Sequence, residues 1–230
     1  MKKLLSLAVA SFAMAAVAVD YSPTIGVTQV TTTNKNTIVA VPFNSLADGG
    51  NMSVTNLVCT NGLSSGTHIY VFKGGNYKAW TLDAANGWAA LDTVSGNSDL
   101  AVPSAGDDLV ASPGAIWVVL PEAPADSKTF CIYGQWADIT ATDITSGANN
   151  LVANPLQSKA VVGFTGNPVR GDAIIIPRDG TPESYTYGKK GWTSDGASAT
   201  LPNIEVGQGF WYVCNSTSTV TKVTWTPVTP

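Results

Sequence analysis

One ordered set of signals occurs twice along this chain, and that repetition limits its fold more than any local pattern does. The first copy opens at Asn36-Thr37-Ile38-Val39-Ala40-Val41-Pro42-Phe43 and the second at Asn149-Asn150-Leu151-Val152-Ala153-Asn154-Pro155-Leu156. A glycine and an apolar run follow, Gly66 through Phe72 in one copy and Gly171 through Ile176 in the other. A tyrosine-centred segment comes next, Tyr77 to Trp80 or Tyr185 to Tyr187, then Gly87-Trp88 or Gly191-Trp192. Each copy closes on an aromatic run, Pro113-Gly114-Ala115-Ile116-Trp117-Val118 or Gly207-Gln208-Gly209-Phe210-Trp211-Tyr212-Val213, and then a Thr-rich segment. Gly66 to Gly87 spans 21 positions and Gly171 to Gly191 spans 20, so the order of signals keeps its spacing as well. The first copy is the longer, with extra residues between Pro42 and Gly66 and between Trp88 and Trp117.

The repeated runs are four to eight residues long, rich in β-branched and aromatic side chains and bounded by Gly, Asn, Asp and Pro, which is the signature of strands. Composition agrees. The chain has 26 Thr, 22 Gly, 19 Ser, 15 Asn and 13 Pro against three Glu, which favours turns and strands over helices. We therefore expect an all-β protein of two tandem antiparallel β-domains, each a sandwich or partly open barrel, with at most one or two short helices. The expected first domain is 36–140 and the second 141–230, with an extended β segment over 19–35 before them. One short helix is expected from Ser53 to Cys59, where Ser53 is placed to cap it and Val54, Leu57 and Val58 share a face. Gly74-Gly75-Asn76 reads as a hairpin turn.

Lys2 and Lys3 precede an apolar run ending in Ala16-Val17-Ala18 and Asp20, the layout of a secretory signal peptide over residues 1–18 with cleavage after Ala18. Cleavage leaves 10 Lys and Arg against 16 Asp and Glu, a net charge of −6. The expected product is secreted or held at the cell surface. No later run is long and apolar enough to span a bilayer, and no basic stretch is present to neutralise phosphates, so neither a membrane span nor nucleic acid is expected. In an oxidising compartment, Cys59 and Cys131 are a possible disulfide that leaves Cys214 alone, although three cysteines allow three pairings.

Chemistry is thinly supplied. Only 12% of the residues are Asp, Glu, Lys or Arg, and there is one histidine. Gly62-Leu63-Ser64-Ser65-Gly66 matches a nucleophile-elbow string, but the elbow needs a strand before it, a helix after it and a distant histidine. Here a strand follows at once and carries His68, whose counterpart in the second copy is Ala173. Zinc sites built on histidine are excluded by number, no calcium-loop spacing is present, and no cofactor is implied. Asp107, Asp108, Asp172, Asp179 and Asp195 sit beside Gly, Pro or Ser, where a carboxylate normally caps a turn in solvent. The aromatic residues carry the remaining signal. Trp80, Trp88, Trp192, Tyr77 and Tyr185 are candidates for stacking on a surface glycan, as flat faces beside polar neighbours, with Trp136 and Trp225 in similar settings. The competing reading makes Trp88 and Trp192 structural plugs of each unit, as Trp117 and Trp211 are expected to be.

The Asn150-Leu151-Val152-Ala153-Asn154-Pro155 and Gly207-Gln208-Gly209-Phe210-Trp211-Tyr212-Val213 stretches resemble a module of secreted bacterial proteins that opens on N-L-V-x-N-P and closes on G-Q-G-F-W-V. The two-copy layout is similar to uncharacterised exported β-proteins of Verrucomicrobia and Kiritimatiellota-type bacteria. The first copy departs from the pattern at Val41-Pro42 and Pro113-Gly114-Ala115-Ile116. The resemblance implies the fold and export and brings no catalytic residue with it. The expectation is a non-catalytic exported structural or interaction protein, a subunit of a cell-surface or extracellular assembly, whose extended segment over 19–33 either completes its own domain's sheet or adds a strand to a neighbour, so that its partners are further copies of itself or surface glycans; a carbohydrate-binding module is the alternative and a secreted hydrolase third.

Overall fold

The computed structural model describes residues 25–33, 35–44, 58–73, 76–91, 100–101, 114–125, 127–136, 140–177 and 182–229. The first half of the chain forms β1 (Ile25–Thr32), β2 (Asn36–Val41), β3 (Phe43–Asn44), β4 (His68–Lys73), β5 (Asn76–Asp83), β6 (Gly87–Ala90), β7 (Leu100–Ala101), β8 (Gly114–Val119) and β9 (Lys128–Trp136). The second forms β10 (Ala141–Asp143), β11 (Asn149–Ala153), β12 (Ala160–Thr165), β13 (Ala173–Ile176), β14 (Glu183–Gly188), β15 (Gly191–Ser194), β16 (Ala197–Ser198), β17 (Gly209–Val213) and β18 (Lys222–Pro227). The fold is all-β, and no helix occurs among the described residues.

The same topology appears in both halves. In the first, a sheet of order β2-β8-β4-β5-β6 accompanies a sheet of order β1-β9-β3; in the second, β11-β17-β13-β14-β15-β16 accompanies β10-β18-β12. Register makes the likeness residue by residue. Tyr70 pairs with Trp117 and with Ala79, while Ile175 pairs with Trp211 and with Ser184. Gly66, Gly87, Gly171 and Gly191 all have positive φ, so each equivalent turn needs a residue without a Cβ penalty. Among the described residues the pairing is antiparallel except where β7, inside the longer stretch between Trp88 and Trp117, lies parallel to β5.

In each half the larger sheet packs on the three-stranded one, which makes a sandwich. Val39, Ile69, Trp80, Ile116 and Val118 meet Phe43, Phe130 and Ile132 in the first core. Ile174, Ile176, Phe210 and Tyr212 meet Val162, Val223 and Trp225 in the second. Each large apolar side chain so buried stabilises the fold by about 1.5–3 kcal/mol.

Three expectations are corrected or fall outside the described residues. Ser53 to Leu57 of the expected helix lie outside them, but its last two positions are extended: Val58 bridges Ile132 and Cys59 N–H donates to Cys131 C=O at 3.0 Å. A strand partner on β9 therefore claims the backbone there. Residues 1–24, with the signal-peptide reading, and Gly74-Gly75 of the expected hairpin turn also lie outside. The extended segment that precedes the first copy is β1, and it pairs with β9 of its own half.

Candidate functional site

The two halves meet through equivalent faces. Ile38, Ala40 and Ala115 of β2 and β8 pack against Leu151 and Ala153 of β11, with Trp117 and Trp211 beside them. These two tryptophans occupy the same position in their repeats, and their rings touch edge to face at 5.2 Å. They are therefore partners across a seam rather than plugs of separate cores, which corrects the sequence expectation. Ala40 N–H donates to Gly207 C=O at 3.1 Å, and Val39 bridges Gln208, so backbone bonds cross the seam as well.

Tyr77 belongs to this seam. Its hydroxyl donates to Asn149 C=O at 3.0 Å and its ring packs on Phe72 and Trp117. Burial pushes the phenol up to about 12, partly offset by a hydrogen bond from Trp211. Burial likewise raises Tyr212, whose hydroxyl donates to Asp172. Both phenols are protonated in either state well below pH 10, so they add no pH dependence to stability there. Above pH 10 the unfolded chain loses these protons while the folded chain holds them, and stability falls as pH rises. Urea midpoints measured from pH 8 to 12 are expected to drop above pH 10, and less steeply in Tyr77→Phe.

Beside the seam lies an open strand edge. β1 is the outermost strand of its sheet and runs eight residues, Ile-Gly-Val-Thr-Gln-Val-Thr-Thr. Cys59 takes a hydrogen bond position on Cys131, so the backbone groups of Cys131 point toward Cys59 and those of Phe130 and Ile132 point toward β1. Their register partners Val30 and Thr28 face β9; Val27, Gln29 and Thr31 therefore aim their N–H and C=O away from it. Val27 is 65% exposed. Two cavities border this strand and the Val206–Gly209 loop of the second half. One, of about 550 Å³, is lined by Val27, Ala40, Pro42, Pro155, Leu156 and Val206 among others; the second, of about 430 Å³, by Gln29, Thr31, Thr37, Val39 and Gln208 among others. Among the described residues no charged side chain lines either.

The residues proposed for glycan stacking do not assemble into a platform. Trp80 is 2% exposed and Tyr185 7%, because each faces the core between its two sheets. Tyr77 is occupied by the seam. Trp88 packs against the first core and donates its indole N–H to Val58 C=O at 3.1 Å. Trp192 stacks on Phe164 at 5.7 Å and meets Tyr187 edge-on, so one face is covered. Trp225 is buried and its N–H reaches Thr142 Oγ1; the Trp136 side chain lies outside the described residues.

The catalytic strings resolve into structure. Ser64 C=O accepts from both the N–H and the hydroxyl of Thr67, making a tight turn into β4. His68 lies against the Tyr70 hydroxyl at 3.3 Å, and burial lowers its pKa. Asp172 is the larger correction, since it is fully buried rather than solvated. Its carboxylate accepts from Val169 N–H, Tyr212 hydroxyl, Ser218 hydroxyl and Asn215 N–H at 2.7–3.1 Å. Asp107, Asp108 and Asp179 lie outside the described residues, and Asp195 sits in a turn at φ 50°. Among the described residues no group of three His, Cys, Asp or Glu is placed to hold a metal ion, and no helix is long and apolar enough to cross a membrane. The three cysteines are free thiols, Cys214 buried and Cys59 and Cys131 half-buried.

The asparagines of the N-L-V-x-N-P stretch, which composition alone marks only as turn formers, are clamps. Asn150 spans Thr145, Ala148 and Tyr212, and Asn154 spans Leu156, Ser158, Ile204 and Glu205, all through backbone groups. In comparisons with known proteins, no family model, no curated protein and no solved structure matches this chain.

Proposed function

We propose that this is an exported, non-catalytic interaction protein that self-associates by strand addition, with β1 of one copy pairing antiparallel to β1 of a second. The observation that carries the reading is the composition of that edge. Soluble proteins blunt edge strands with Lys, Pro, bulges or short length. β1 is eight residues long and has no charged residue and no proline. The described lining of the cavities beside it is uncharged, which suits an uncharged Thr- and Val-rich strand of the same kind and disfavours a charged partner. Main-chain bonds supply the affinity in such pairing, and alternate side chains supply the register. The placement of Asp172, Asn150 and Asn154 as internal clamps supports a scaffold over an active site, and the signal-like residues 1–18 support export.

Sedimentation velocity of the exported chain, read with electron microscopy of the same sample, tests this. A concentration-dependent dimer is expected. Gln29→Pro removes an N–H that points away from β9, so it is expected to weaken association at least about tenfold while leaving the melting temperature of the monomer nearly unchanged. A wild-type chain that stays monomeric at high concentration, or association indifferent to Gln29→Pro, rejects the proposal.

A further inference from the structure

We propose that Cys59 and Cys131 close into a cross-strand disulfide that fastens the segment entering the Thr60–Leu63 turn onto β9. The bridge of Val58 to Ile132 puts Cys59 opposite Cys131, and one 3.0 Å bond runs from Cys59 N–H to Cys131 C=O. Residues opposed across antiparallel strands have Cα atoms about 4.5–5.5 Å apart, inside the span a disulfide accepts. Directly opposed residues also project to the same side of the sheet. Val58, Phe130 and Ile132 point into the core; Cys59 and Cys131 alternate with them and so share the outer face, where both are half-buried and open to an oxidant.

The neighbourhood holds the pair in place without help from the bond. Gly62, three residues on, has φ +86° and lies so close to β9 that a Cβ there would sit 2.0 Å from Thr129 C=O. Leu63 N–H donates to Thr60 C=O at 3.1 Å and closes the turn between them. With Val58 fixed on one side and Gly62 on the other, the backbone at Cys59 is held against β9 before the bond forms. Cys214 takes no part. It is buried in the other half, against the Asn150 side of the second core, and its burial raises its pKa.

The step is a thiol–disulfide exchange. One cysteine, as thiolate, attacks a small-molecule or protein disulfide; the second then displaces the mixed disulfide. Two S–H bonds are lost and one S–S bond forms, while the incoming disulfide takes two electrons and two protons and leaves as two thiols. The two cysteines are 72 positions apart in sequence, so the bond removes a long loop's worth of freedom from the unfolded chain.

The test equilibrates the native full chain with glutathione disulfide, quenches it and counts thiols after denaturation. The expected count falls from three to one, with a peptide map that joins the Cys59 and Cys131 peptides and a mass lower by two hydrogens. Reduction is expected to lower the melting temperature by about 5–10 °C, and Cys59→Ser or Cys131→Ser to abolish that difference. Three thiols remaining in the native chain, separate glutathione adducts on Cys59 and Cys131, or a bond that includes Cys214 overturns the proposal. The thiol count and map are read on the wild-type chain, so they decide the matter even where a serine variant fails to fold.

Discussion

Replacing Asp172 by alanine is expected to destabilise the second half of the protein by about 3–5 kcal/mol, the largest effect of any single polar side chain described. Four donors lose their acceptor at once, and two of them, Val169 N–H and Asn215 N–H, are backbone groups with no freedom to turn elsewhere. The hydroxyls of Tyr212 and Ser218 lose theirs in the same buried space. Asp172→Asn is expected to fall between, because the amide keeps one oxygen but turns a donor toward groups that are already donors. The first half carries its own control. Thr67 occupies the equivalent position after a positive-φ glycine and makes one side-chain bond, to Ser64 C=O at 2.6 Å, so Thr67→Ala is expected to cost only about 1 kcal/mol. Urea denaturation followed by tryptophan fluorescence measures both; equal losses at Asp172 and Thr67 contradict the account.

Gly209→Ala is expected to cost about 2–3 kcal/mol, and the cost comes from the seam between the halves. Gly209 has an ordinary backbone conformation, so strain is not the cause. A Cβ there would sit 2.2 Å from Ile38 Cγ2, 2.8 Å from Ile38 Cβ and 2.9 Å from Val152 C=O. The Ile38 atoms belong to the other half of the chain. Ile38→Ala removes the nearest of them and on its own forfeits about 2–5 kcal/mol of packing. The two substitutions are therefore expected to be sub-additive, with a coupling of about 1–2 kcal/mol in a double-mutant cycle. Strict additivity would mean that the halves do not press together at this point.

The all-β class and the strand positions are legible because apolar runs bounded by turn residues state where a strand begins and ends, and the repeat states it twice. Gly66 and Gly171, or Gly87 and Gly191, are readable as equivalent turns from spacing alone. What a strand is buried against is a different matter. Ala79 and Trp80 are adjacent and therefore point to opposite sides of β5, yet both are buried, one on the seam side and one in the core. Polar neighbours such as Lys78 and Thr81 made Trp80 look exposed. Trp117 and Trp211 read correctly as covered, but period-two alternation cannot say that each is covered by the other. Asp172 escapes the sequence for a related reason: its local sequence is that of a turn, while three of its four donors lie 40 to 46 residues away, Tyr212 on β17 and Asn215 and Ser218 in the turn that follows it. The helix read at Ser53 to Cys59 failed at its described end because a 3.6-residue pattern was found in residues whose backbone is bonded to β9.

The face-to-face contact of the two halves has a consequence for any larger assembly. Each half spends the same face of its larger sheet on the other, so that surface is already closed in the manner of an isologous dimer held within one chain. Growth through it is therefore blocked. Among the described edge strands β1 is the longest, eight residues against three in its counterpart β10 and six in β2 and β12. A molecule with one such edge, joined to its like about a two-fold axis, completes a continuous six-stranded sheet, β3-β9-β1 followed by its inverse. Pairing of this kind uses up β1 in both molecules, so strand addition through that edge closes at two.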